Sequence, residues 1–87
     1  MSDSPPKAGL SLGSPAVYRI VVQGLLDQGV SDFLGGIRII TTSRRAEHLP
    51  TTTLEGRLRD QAQLMGVVNA LYELHLPILR VEMLEAE

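Results

Sequence analysis

Residues 51–84 decide the fold, and they read TTTLEGRLRDQAQLMGVVNALYELHLPILRVEML. Within this stretch, Thr51–Arg59 alternates between apolar and polar residues, with Leu54 and Leu58 directed to one face and charged residues to the other. Such alternation is typical of a half-buried β-strand, because successive side chains of a strand point to opposite faces. The segment therefore predicts a strand.

A helix and a further strand follow. Asp60 precedes Gln63 by three positions, which is the spacing of a capping box with Asp in place of Ser or Thr. This cap predicts a helix from Gln61 to about His75. Pro77 cannot continue a helix, and Pro77–Leu84 alternates again, so it is expected to form the last strand.

The preceding half of the chain supplies the remaining elements. Ala16–Leu26 is rich in β-branched residues and predicts a strand, and Asp27–Gly36 predicts a single helical turn or a loop. Gly36–Ser43 predicts a second strand, with Ile39 and Thr41 on one face, and the charged Arg44–Pro50 predicts the turn of a hairpin. The expected fold class is α+β. A four-stranded, mostly antiparallel sheet carries one main helix, in the manner of a ferredoxin-like split βαβ domain with a degenerate first helix.

The domain organisation follows from composition and length. Residues 1–15 are rich in Ser, Pro and Gly and predict a flexible N-terminal tail, and residues 16–87 predict a single α+β domain. A core of about 70 residues rarely contributes more than about 3 to 5 kcal/mol of stability without a disulfide, a metal or a partner subunit. The chain has no cysteine, and His48 and His75 lack the thiol or carboxylate neighbours of a zinc site. Self-association is therefore expected.

Charge and hydropathy exclude several classes of partner. A net charge of −2 and a pI near 5.6 argue against a nucleic-acid-binding surface, which normally has a basic excess. The chain lacks the apolar run of a signal peptide or a membrane span, so a cytoplasmic protein without membrane contact is expected. Its glycines have neither a GK[ST] ending nor a dinucleotide fingerprint, and no cofactor is predicted.

The predicted helix carries a candidate oligomer interface. Ala62, Gly66 and Ala70 recur at a spacing of four, and Asn69 and Glu73 flank them. Small residues one turn apart allow a second backbone to approach closely, and a glycine inside a helix otherwise costs about 1 kcal/mol relative to alanine. The row therefore predicts a contact with another copy of the chain.

The stretch from Thr52 to Leu84 also resembles a group of small bacterial proteins of unknown function. They share the pattern T-x-L-x-G-x-L-x-D-Q-A-x-L-x-G-x-x-N and end on a short L-x-V strand. The residues that carry the resemblance most specifically are Gly56, Asp60, Gln61, Ala62, Leu64, Gly66 and Asn69. The resemblance implies the same fold and domain boundaries, and it implies no catalytic residue.

The predicted inward-facing side chains bear on function. They contain one hydroxyl and no acid or base that could transfer a proton, so no enzyme activity and no catalytic residue are predicted. The set is Tyr18, Ile20, Val22, Ile37, Ile39, Leu54, Leu58, Leu64, Val68, Leu71, Leu79, Val81 and Met83.

The expected function is a non-catalytic homo-oligomeric module for scaffolding, regulation or partner binding. Two alternatives stay open. One is a regulatory domain that binds a small molecule between subunits near Gly24–Gly36. The other is a cofactor-free enzyme of the dimeric ferredoxin-like kind that uses the cavity between helix and sheet.

Overall fold

The computed structural model describes residues 13–31, 34–44 and 49–86. The predictions for the tail up to residue 12, for residues 45–48 of the turn and for His48 lie outside the described residues. The elements, in chain order, are β1 (Ala16–Gln23), α1 (Gln28–Ser31), β2 (Ile37–Ser43), β3 (Thr51–Leu58), α2 (Gln61–Glu73) and β4 (Ile78–Ala86).

The four strands form one sheet in the order β2-β3-β1-β4, and every neighbouring pair is antiparallel. β3 and β4 therefore run parallel to each other with β1 between them, and α2 is the crossover that connects them. This is the split βαβ arrangement of a ferredoxin-like domain. The predicted α+β class and the β2–β3 hairpin are confirmed, and the four-residue α1 stands where the first helix of such a domain would lie.

β1 ends earlier than its apolar sequence predicts. It stops at Gln23 instead of Leu26, because Gly24 has a φ of 114° that turns the chain out of the strand. A Cβ atom at Gly24 would lie 2.9 Å from Leu76 Cδ2, so the turn brings the backbone close to the end of α2. The amide of Gly24 donates a 2.7 Å hydrogen bond to the carbonyl oxygen of Pro50.

Two strands contain irregularities that change which residues share a face. In β2 the register shifts between Ile39 and Thr41, so Thr41 lies opposite Thr53 instead of sharing a face with Ile39. The predicted alternation was therefore wrong beyond Ile40, because a β-bulge adds one residue to the strand. In β4 a similar shift pairs Ile78 with Val22 of β1.

α2 begins and ends with distinct backbone caps. The Oδ1 atom of Asp60 accepts a 2.8 Å hydrogen bond from the Gln63 amide, and Gln63 Oε1 accepts one of 2.9 Å from the Arg59 amide. The helix was predicted to reach His75, but it ends at Glu73, and His75 has a φ of 62°. Among the described residues, no helix has the length and apolar character needed to cross a membrane.

The end of α2 is a Schellman motif with histidine at its left-handed position. The amide of His75 donates a 2.9 Å hydrogen bond to the Tyr72 carbonyl, and the amide of Leu76 donates one of 3.3 Å to the Leu71 carbonyl. Glycine usually occupies this position, since a Cβ atom disfavours positive φ. Leu76 packs against the core beside the buried Leu71, as the motif requires.

The core lies between α2 and one face of the sheet. Most of its predicted members are buried, but Leu79, Val81 and Met83 of β4 are exposed. In α2 the buried residues are Leu71 and Val67, where Leu71 and Val68 were predicted. Since Leu71 is buried in both cases, the helix is rotated by only about 50° from the predicted orientation. The buried apolar set is Ala16, Tyr18, Ile20, Val22, Leu34, Ile37, Leu54, Leu58, Val67 and Leu71.

Gly56 allows two strands to approach each other closely. It lies opposite Tyr18 of β1 and Ile37 of β2. A Cβ atom at this position would lie 2.7 Å from Ile37 Cα and would collide with the carbonyl oxygen of Gly36. Only glycine therefore fits here without a shift of the backbone.

Candidate functional site

The edge strand β4 exposes apolar side chains on the same face of the sheet as the core. Val81 lies opposite Ile20 and Met83 lies opposite Tyr18, and directly opposed residues of an antiparallel pair share a face. Ile20 and Tyr18 are 0% and 3% exposed, whereas Val81 and Met83 are 43% and 38% exposed. The helix that covers β1 thus leaves β4 open.

The flank of α2 that adjoins β4 is apolar as well. The opposite flank of α2 carries Gln63 and Gly66. These residues line a cleft with Leu34 and Gly35, which directly precede β2, so this flank lies on the β2 side. Since β2 and β4 are the two outer strands of the sheet, the other flank of α2 lies over the β4 side.

That other flank carries Met65 and Tyr72, which are 53% and 75% exposed. Residues seven apart on a helix lie nearly above each other, so these two side chains share the flank of α2 that lies on the β4 side of the sheet. We call Met65, Tyr72, Val81 and Met83 together the α2–β4 apolar surface.

The topology explains why this surface is open. A strand at the end of a sheet is covered only if a helix or a loop lies over it, and α2 buries only Val67 and Leu71 against the sheet. In a split βαβ fold with a full first helix, two helices share this task. Here α1 has four residues, so one helix covers the middle of a four-stranded sheet.

The predicted interface row lies on the other side of α2. Ala62, Gly66, Asn69 and Glu73 are exposed, and Ala70 is half-buried against the core. A Cβ atom at Gly66 would meet no atom within 4 Å, so the space beside it is open. The row is accessible to a second copy of the chain, and its role as an interface stays a prediction.

The cleft beside this row is the site that a small molecule could occupy. It has a volume of about 300 Å³ and is lined by residues from two segments, namely Leu34, Gly35, Gln63, Gly66 and Val67. Gln63 is the polar side chain of this lining, and its Oε1 atom is already engaged by the Arg59 amide. Its amide nitrogen Nε2 lies at Gly35, where an added Cβ atom would be 3.1 Å away.

The face of the sheet opposite α2 carries a row of alternating charges. In register across the four strands lie Arg38, Glu55, Arg19 and Glu82. Arg19 is 2.7 Å from Glu55 and 3.7 Å from Glu82, so opposite charges pair across three neighbouring strands on this face. Arginine and glutamate neutralise each other here, and partly exposed pairs of this kind contribute under about 1 kcal/mol.

The described core has little chemistry for catalysis. Among the described residues no group of three or more His, Cys, Asp or Glu side chains could hold a metal ion. Tyr18 is the titratable residue of the buried set, and its hydroxyl is buried without a hydrogen-bond partner. The sequence gives no sign of this orphaned group, because Tyr18 fits the apolar alternation of its strand.

The buried Thr52 is a second polar group that alternation alone does not single out. It is 0% exposed, and its hydroxyl is hydrogen-bonded to the backbone where β1 ends. Its position in an apolar alternation, two residues before Leu54, is the available signal. Its bonds are satisfied within the chain, so it contributes to the fold and offers nothing to a ligand.

Comparison with known proteins returned one family. Residues 17–82 match the model described as Domain of unknown function (DUF8691). The match runs from the second residue of β1 to Glu82 in β4. It therefore includes every helix and strand except the first residue of β1 and the last four residues of β4. No curated protein and no solved structure matches the chain.

Proposed function

The chain belongs to the DUF8691 family, whose function is unknown, and we propose that it is a non-catalytic module that assembles with copies of itself through the α2–β4 apolar surface. The observation that carries the proposal is the exposure of Val81 and Met83, at 43% and 38%, opposite residues that are fully buried. Such side chains on the core face of a sheet are normally covered. In the proposed assembly, a second copy of the chain covers these side chains.

The character of the surface supports this proposal. Methionine and tyrosine are enriched at protein interfaces, and charged residues are depleted from interface centres. Met65 and Tyr72 flank the exposed residues of β4, so the α2–β4 apolar surface combines both features. Contiguous exposed apolar patches on small proteins commonly mark interaction sites.

The size of the domain supports it too. Small domains bury a smaller fraction of their surface than large ones, and burial of further apolar side chains in an oligomer compensates for this. The described residues provide one main helix over four strands and no second covering layer, and the chain contains no cysteine that could form a disulfide.

The test is the mass of the protein in solution, measured by light scattering after size exclusion. The wild-type protein is expected to exceed the monomer mass of 9.5 kDa. Val81→Glu places a charge at the centre of the surface and is expected to give a monomer with an unchanged circular-dichroism spectrum.

Ile40→Glu is the matched control. Ile40 is an apolar residue of similar exposure, 46%, but it lies on β2, the opposite outer strand. This variant is expected to keep the wild-type mass. A wild-type protein of monomer mass at micromolar concentration, or a Val81→Glu variant that still assembles, would contradict the proposal.

A second candidate function is binding of a small molecule, and the Tyr18 hydroxyl favours it. A buried hydroxyl without a partner costs free energy, so a ligand atom that accepts a hydrogen bond from it would recover that loss. Tyr18 does not line the cleft of about 300 Å³ at Leu34, Gly35 and Gln63, which lies at the end of the Gly24–Gly36 segment, so the two are separate candidate binding positions.

Tyr18→Phe separates this candidate from a purely structural role. If the hydroxyl serves no ligand, its removal is expected to leave stability unchanged or slightly raised, because no hydrogen bond is lost. Native mass spectrometry of the purified wild-type protein would reveal a retained small molecule. Loss of that molecule in Tyr18→Phe supports the candidate, and a wild-type protein that carries none contradicts it.

A further inference from the structure

We infer that two copies of the chain join by antiparallel pairing of β4 with β4, centred on Val81. The inference rests on the proposed self-association and specifies how it occurs. The two sheets then become one eight-stranded sheet, related by a twofold axis that passes through Val81. In such an isologous interface each copy contributes the same residues.

The two faces of the sheet restrict the possible registers. In an antiparallel pair, directly opposed residues lie on the same face. Val81 faces α2, whereas Arg80 and Glu82 lie on the open face, as their register opposite Val21 and Arg19 shows. A symmetric pairing that keeps both helices on one face must therefore be centred on a residue of β4. Three centres in the regular part of the strand bring charged residues of the two copies opposite each other, namely Arg80, Val81 and Glu82.

Charge complementarity selects among these three registers. Centred on Arg80, the pairing opposes two arginines, and centred on Glu82 it opposes two glutamates. Centred on Val81, it places Arg80 of each copy opposite Glu82 of the other, which gives two cross-strand ion pairs. Directly opposed like charges destabilise a sheet, and opposite charges stabilise it.

The existing ion pairs fit the Val81 register. Glu82 already lies 3.7 Å from Arg19 and 3.8 Å from Arg80 of its own chain, and the Arg80 side chain is 66% exposed. The Arg80 side chain of a second copy, opposite Glu82, would continue the alternating row Arg38, Glu55, Arg19, Glu82 across the interface. The alternation of sign thus extends from Arg38 of one copy to Arg80 of the other.

The apolar residues fit the same register. Val81 lies opposite itself at the axis, and the Met83 side chains of the two copies lie on either side of it on the same face. Val81 and Met83 are 43% and 38% exposed in the single chain, and the pairing brings them together between the two helices. The register shifts of β4 lie outside Arg80–Met83, so the central pairs involve the regular part of the strand.

Single-cysteine variants test the register directly, because the chain has no cysteine of its own. Opposed residues of an antiparallel pair have Cα atoms about 4.5 or 5.5 Å apart, within the range of a disulfide. Diagonal neighbours are about 7 to 8 Å apart, beyond it. Under mild oxidation, Val81→Cys is therefore expected to shift from monomer to covalent dimer on a nonreducing gel.

The neighbouring variants serve as matched controls. Arg80→Cys alone and Glu82→Cys alone are expected to stay monomeric on the gel, whereas an equimolar mixture of the two gives a covalent dimer. Ile40→Cys, on the opposite outer strand, measures random collision.

Each other outcome contradicts a specific statement. Self-linking of Arg80→Cys or Glu82→Cys in place of Val81→Cys would overturn the register. A wild-type protein that is dimeric by light scattering while no β4 variant links above the Ile40→Cys level would overturn β4 pairing and leave the proposed self-association standing. A monomeric wild-type protein would overturn both the β4 pairing and the proposed self-association. The bulges and charges of β4 would then be features that protect an exposed sheet edge from pairing.

Discussion

The hydroxyl of Thr52 donates a 2.7 Å hydrogen bond to the carbonyl oxygen of Gly24 and accepts one of 3.3 Å from the amide of Leu26. Thr52 is 0% exposed and lies opposite Val22, the last buried residue of β1. One side chain of β3 thus holds both sides of the bend at which β1 ends. The bend therefore has two hydrogen bonds from this hydroxyl in addition to the one from the Gly24 amide to the Pro50 carbonyl.

Thr52→Val tests this role. Valine has nearly the same shape but no hydroxyl, so the Gly24 carbonyl and the Leu26 amide lose their partner, and the free energy of unfolding is expected to fall by about 1 to 3 kcal/mol. Urea unfolding followed by circular dichroism measures the change. Thr53→Val, one position along on the open face, is the control and is expected to change stability by less than about 0.5 kcal/mol. Equal losses in the two variants would show that the hydroxyl of Thr52 is not the cause.

Gly56→Ala is expected to destabilise the domain by about 1 to 3 kcal/mol. An added methyl group would lie 2.7 Å from Ile37 Cα, and backbone atoms of two neighbouring strands would have to move to relieve the contact. Thermal unfolding by differential scanning calorimetry measures the loss. A variant as stable as the wild-type protein would show that the β2–β3 pairing adapts at no cost.

Gly66→Ala is expected to have the opposite effect and to raise stability by about 0.5 to 1 kcal/mol. Glycine is unfavourable inside a helix, and no atom lies within 4 Å of the added methyl group. The same variant tests the Ala62–Gly66–Ala70 row, together with the bulkier Gly66→Leu. If this row is the interface, both variants weaken assembly, in proportion to their size. If assembly depends on the α2–β4 apolar surface, both variants retain the wild-type mass in light scattering. If only Gly66→Leu loses mass, the row makes a looser contact that tolerates alanine but not leucine.

His75→Gly is expected to stabilise the domain by about 1 kcal/mol. The φ of 62° at His75 is unfavourable for any residue with a Cβ atom, and glycine adopts it without that cost. His75→Ala retains the Cβ atom and serves as the control, with little expected change. Chemical unfolding of both variants at the same pH measures the difference. A destabilised His75→Gly protein would indicate that the imidazole makes a contact worth more than the strain.

The sequence could predict the elements and their order, because alternation in strands, the Asp60 cap and the proline after α2 are local signals. It could not predict which residues face the core beyond Ile40 in β2 and beyond the register shifts near the two ends of β4. A bulge at Ile40 adds one residue and moves Thr41 to the other face, and no residue type in that segment marks the insertion. The buried face of α2 was predicted to within about 50°, because the apolar residues cover about half of the helix circumference and do not define its rotation more closely.

The candidate surface was missed for a different reason. Alternation predicted Val81 and Met83 on the core face, and their register opposite Ile20 and Tyr18 agrees. Burial, however, depends on how far one helix extends across the sheet, which is a property of the whole domain. The strand order was the signal that could have found it, because the last strand of a split βαβ fold lies at the edge.

The position of β1 in the sheet has a consequence for the folding of this protein during its synthesis on the ribosome. β1 is made early, yet it lies between β3 and β4, and Ala16 pairs with Ala86. While the chain is being synthesised, the side of β1 that pairs with β4 therefore stays unpaired along Ile20 and Val22 until Ile78–Ala86 has emerged. A ribosome that stalls before β4 would hold a nascent chain with its most apolar strand open to other proteins. Since both sides of β1 are unpaired before β3 is made and one side stays unpaired until β4 follows, chaperone protection is expected to matter throughout the synthesis of this domain.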